Sequence, residues 1–76
     1  MFKNLKAEMA REDLSGNKLA KTIGITGQAF SNKMRCVSEF TRAEMLKIQK
    51  FFREKFNRSF TLDFLFELSD EDLRIA

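Results

Sequence analysis

Gln28, Ala29, Asn32 and Arg35 are spaced so that a helix would carry them on the side opposite Phe30 and Met34. That side offers two carboxamides, a small residue and a guanidinium. Such a set breaks no bonds. Its chemistry is recognition, because a carboxamide pairs edge-on with a base and a small residue lets a helix approach closely in a major groove. The plainer alternative is a helical hairpin whose polar face meets only water.

The elements that must position this face follow from the surrounding residues. Leu19, Ala20 and Ile23 form an apolar stripe at helical spacing, and Gly24 ends that helix because it accepts a positive φ. Ile25 is a buried-type residue in the turn, and Thr26 caps the next helix. Upstream, Phe2 to Asp13 reads as a first helix with Phe2, Leu5 and Met9 facing inward and Leu14 tucked in behind them. Ser15 caps helix two, which puts Asn17 and Lys18 at a helix N-terminus suited to anions. Downstream, Arg35 stands near a helix C-terminus, and Cys36 reads as a small buried filler. Thr41 and Glu44 form a capping box for a helix from Arg42 to Phe56, with Phe40 placed as a staple. The apolar arc of that helix spans roughly 220°, wider than one neighbour needs. Leu46 and Phe51 lie off its main stripe, and with Phe64 they are candidates for a subunit interface. Thr61 caps a last short helix over 62–68, in which Leu62, Leu65 and Phe66 dock and Phe64 is exposed. Residues 68–76 form an acidic tail.

Composition narrows the classes. A chain of 76 residues is one small domain with no room for a deep catalytic cavity. It has no His, a single Cys and no Gly-rich phosphate loop, so nucleophilic and phosphate chemistry have no assembled machinery and an enzyme is not expected. Asp70, Glu71 and Asp72 lack the spacing of a calcium loop, and no metal, cofactor or small-molecule ligand is implied. The first ten residues carry Lys3, Lys6 and Glu8, unlike a signal peptide, and no apolar run is long enough for a membrane span. One unpaired Cys suits a reducing cytoplasm. Residues 1–58 hold thirteen Lys/Arg against six Asp/Glu, net +7, and residues 59–76 hold one against five, net −4. A basic body with an acidic end fits a nucleic-acid binder whose tail points away from the phosphates.

Ala20 and Gly24 at their four-residue spacing, Ile25, Phe30, Met34, the downstream SEFT and the closing TLDFLFE together resemble the small phage-repressor or Cro-like helix-turn-helix family. The resemblance covers most of residues 2–67. It implies an all-α, five-helix, lambda-repressor-like domain over residues 1–67, a double-stranded DNA operator as partner and a homodimer. By the same resemblance Gln28 and Asn32 read bases with Thr26 and Ser31 beside them, and Asn17, Lys33, Arg35 and Arg42 hold phosphates. Gly27 departs from the pattern, since relatives often carry a side chain there that reaches DNA, and Gly16, at the start of helix two, lacks the amide seen in relatives. Two alternatives share the fold: an antirepressor that binds another repressor protein, and the antidote of a toxin–antitoxin pair.

Overall fold

A computed structural model gives the structure of the chain and describes residues 2–68. Five helices follow one another, and no strand occurs among the described residues: α1 (Lys3–Arg11), α2 (Gly16–Ile23), α3 (Gly27–Met34), α4 (Arg42–Phe56) and α5 (Leu62–Leu65). None is long and apolar enough to cross a membrane.

Side-chain caps start four of them. The hydroxyls of Ser15, Thr26, Thr41 and Thr61 accept hydrogen bonds from the backbone N–H of Lys18, Ala29, Glu44 and Phe64. At Thr41 the box closes, because Glu44 accepts in return from the Thr41 N–H at 2.8 Å. α1 is two residues shorter at its C-terminus than the apolar pattern predicts, and α5 stops at Leu65 instead of running on to 68.

The C-termini of α1, α2 and α3 close alike. The N–H groups of Leu14, Ile25 and Val37 each reach back five residues, to the carbonyls of Met9, Ala20 and Asn32. This is the Schellman arrangement, which places the residue before each of those N–H groups in the left-handed region. Gly24 adopts it without steric cost (φ 84°), whereas Asp13 (φ 53°) and Cys36 (φ 65°) adopt it despite their Cβ atoms. Cys36 is therefore exposed at a helix end and fills no core space, which corrects the reading of it as a buried filler.

Leu5 of α1, Leu19 of α2, Ile48 and Phe52 of α4 and Leu65 of α5 are fully buried, and Phe30 brings α3 to the same core. Ala20 of α2 is 1% exposed, so any larger side chain there would have to displace its neighbours in the core. The nine Phe rings divide into two groups. Phe2, Phe30, Phe40 and Phe66 join α1, α3 and α5, with centroids 5.3–5.8 Å apart. Phe51, Phe52, Phe56, Phe60 and Phe64 run along α4 into α5. Phe51 is thus partly covered within one chain, while Leu46 and Phe64 remain 43% and 39% exposed.

Candidate nucleic-acid interface

α3 is fixed on three sides. Phe30 anchors it in the core, Thr26 caps its start, and at its far end the Lys33 ammonium lies 3.0 Å from Glu44 Oε1 at the first turn of α4. The fourth side is open. Gln28, Ser31 and Arg35 are exposed there and Asn32 is half-buried beside them.

Arg35 Nη2 donates to Asn32 Oδ1 at 2.9 Å. That bond fixes which way the carboxamide faces. The Asn32 NH₂ group stays available to donate, and Oδ1 keeps a second lone pair, so an edge-on pair with adenine remains open to it. Arg35 in turn stands at the end of the open side, and no acid among the described residues pairs with it.

Lys33 differs from its expected role. Besides the Glu44 contact it donates to the Glu39 carbonyl at 3.0 Å, and its side chain is only 14% exposed. Its charge is compensated within the fold, so it ties α3 to α4 and does not project as a phosphate ligand. The pair also acts on Glu44. Burial works against the carboxylate, but the hydrogen bonds from the Thr41 N–H and from Lys33, with the Coulombic pull of that ammonium, outweigh it and hold the Glu44 pKa below its ordinary 4.5. Arg42 is the first residue of α4, the helix that Lys33 clamps to α3, and it is exposed. A cation at a helix N-terminus opposes the dipole, so intrahelical electrostatics do not explain its presence there.

The two departures at glycine acquire physical reasons. A Cβ on Gly16 would come within 3.3 Å of the Phe30 ring, so the approach of α2 to α3 keeps this position small. A Cβ on Gly27 would overlap Oδ1 of Asn17. Asn17 of α2 thus lies across the first turn of α3. The sequence places Asn17 near the interface but gives no sign of this pairing with Gly27.

Between α1, the start of α2 and α3 runs an open groove of about 480 Å³. Gly16 and Gly27 line it together with Asn17 and Ser31, and Lys6 and Arg35 supply its charge. Among the described residues no acid lines it. Lys6 was not singled out by pattern, because on α1 it reads as one more peripheral cation.

Glu8 and Arg58 also escaped the pattern. Glu8 is 6% exposed, and its carboxylate meets Arg58 Nη2 at 3.2 Å and Arg11 Nε at 3.7 Å. Arg58 also reaches Glu12 at 3.4 Å and lies 5.2 Å over the Phe60 ring. This network locks α1 to the segment after α4 and stands apart from the α3 face. The Asp70–Asp72 cluster lies outside the described residues; among those described, no group of His, Cys, Asp or Glu is placed to hold a metal ion.

No family model, curated protein sequence or solved structure matches the chain.

Proposed function

We propose that the chain is a lambda-repressor-like helix-turn-helix regulator that binds double-stranded DNA with α3 in the major groove. The reading rests chiefly on the open side of α3, where Gln28, Asn32, Ser31 and Arg35 are exposed or half-buried with no core role, and where the Arg35–Asn32 bond leaves a carboxamide poised to donate. Phosphate contacts in this reading come from Asn17, Arg35 and Arg42, with Lys6 flanking the groove. Thr26 acts as the cap that sets where α3 begins, and Ser31 adds a hydroxyl to the base-facing side. The protein works as a homodimer on a two-fold site, with Leu46 or Phe64 covered between subunits. A phage or mobile-element genetic switch is the setting the sequence resemblance favours.

A second reading keeps the fold and changes the partner. Val37, Leu46 and Phe64 are exposed apolar side chains, which suit an antirepressor that grips another regulator.

The discriminating experiment is selection of a preferred site from a random duplex pool, followed by mobility shifts with Gln28→Ala and Asn32→Ala. A carboxamide that pairs with a base discriminates by about 1–3 kcal/mol. Each variant should lose roughly ten- to a hundredfold on the selected site and little on random DNA. Equal losses on both substrates would remove these residues from sequence reading.

A further inference from the structure

Leu46 and Phe64 are exposed on two helices that pack against each other, α4 and α5. The link between the two side chains is short. Gln49, one turn on from Leu46, donates from Nε2 to the Phe60 carbonyl at 2.8 Å, and the Phe60 ring stacks on that of Phe64 with centroids 5.5 Å apart. The α5 end of this patch is held from α1. Asn4 Nδ2 donates to the Phe64 carbonyl at 2.9 Å and to Glu67 Oε2 at 3.0 Å. The charges around the two apolar side chains are opposite. Lys50 and Arg53 follow Leu46 at spacings of four and seven, which sets them on the same face of α4. Asp63 precedes Phe64, and Glu67 lies three residues beyond it. All four are exposed, and among the described residues Lys50, Arg53 and Asp63 form no ion pair.

A second Leu46 brought against the first would set two Lys50–Arg53 pairs face to face, and Phe64 against Phe64 would do the same with carboxylates. Like charges across an interface exclude a pairing, so each half of the patch rejects its own kind and matches the other half. We propose that two copies of the chain pair about a two-fold axis, with Leu46 of each against the partner's Phe64 and with Lys50 and Arg53 facing the partner's Asp63 and Glu67. A two-fold axis makes this contact twice, because one continuous patch that is basic at one end and acidic at the other is complementary to itself. Apolar cover supplies the affinity, and the charges fix the register. The proposal rests on the homodimer reading above and narrows it, since both exposed side chains are covered, each by the other. None of these residues belongs to α3, so the pairing shares nothing with its open side.

The test is sedimentation equilibrium without DNA on the full chain and on two charge-reversed variants, K50E/R53E and D63K/E67K, with far-UV circular dichroism to compare their helix content. The native chain should dimerise, and each variant alone should dimerise about tenfold more weakly or worse. Mixed in equal amounts, the two variants should associate at near-native strength, because at both contacts an acidic end then meets a basic one. A D63K/E67K chain that dimerised like the native one would place Leu46 against Leu46, and an unaffected K50E/R53E chain would place Phe64 against Phe64. Either result overturns the pairing, as would two weakened variants whose mixture stays weak. Leu46→Ala and Phe64→Ala shorten exposed side chains and decide the matter where a reversed chain loses its helices. Each should weaken the dimer, and the double variant should lose less than the product of the two single effects; independent losses would overturn the pairing. A native chain that stayed monomeric would overturn it too, and a mobility shift of duplex DNA by that monomer would leave the DNA reading standing.

Discussion

Asn32 and Arg35 carry the most specific chemistry on this surface, and the bond between them orients the carboxamide before any partner arrives. Preorganisation of this kind lowers the entropy lost on binding. One residue beyond Arg35 at the same helix end, local geometry makes a prediction about stability. Cys36 closes α3 with a φ of 65°, a region that costs an L-residue roughly 1 kcal/mol. Cys36→Gly should therefore raise stability by about 0.5–1 kcal/mol in denaturant melts, and a loss of stability would show that the thiol contributes packing after all. Pattern alone could not identify this position. A glycine such as Gly24 announces a left-handed residue, whereas Asp13, Cys36 and Asn57 take the same conformation without any compositional mark. The same limit applied to Gly27. Its missing side chain was legible, but the amide of Asn17 lying across it depends on how α2 meets α3.

Among the elements, caps and periodicity were read directly. Ser15, Thr26, Thr41 and Thr61 cap where expected, and α4 has the expected bounds. Charges that join separate elements were not legible, since nothing local pairs Glu8 with Arg58 across fifty residues or Lys33 with Glu44 across a loop. Both pairs give predictions. Arg58→Met leaves the nearly buried Glu8 carboxylate without its nearest cation and should cost about 1–3 kcal/mol, and adding Glu8→Leu should recover much of that loss. A double variant as unstable as the sum of its single changes would refute the coupling. At the α3–α4 clamp, the Glu44 carboxyl binds its proton more weakly folded than unfolded. Its contribution is thus complete above the ordinary value of 4.5 and is lost as pH falls through the lower folded value. The melting-temperature gap between the native chain and Glu44→Gln should be steady near neutrality and close on acidification below that window. A gap that persisted undiminished in strong acid would contradict the clamp.

Across the whole molecule, the five all-helical elements bury one side of α3 and leave the other open, while charge separates along the chain into a basic body and an acidic end. That separation has a measurable long-range consequence. A duplex binder that neutralises several phosphates releases their counterions, so the logarithm of its affinity falls linearly with the logarithm of salt, by roughly 0.9 per phosphate neutralised. A protein partner held by apolar anchors such as Leu46 and Phe64 would respond far less. The most direct measurement is therefore the salt dependence of binding to a site selected from random duplex DNA, for the native chain and for Arg35→Ala, Arg42→Ala and Lys33→Ala. The account predicts a steep slope that drops by roughly one unit on removal of Arg35 or Arg42. Lys33→Ala should leave the slope nearly unchanged and lower thermal stability instead, because Lys33 is already paired with Glu44. No selectable site, or a flat slope in all four proteins, would contradict the DNA-binding account.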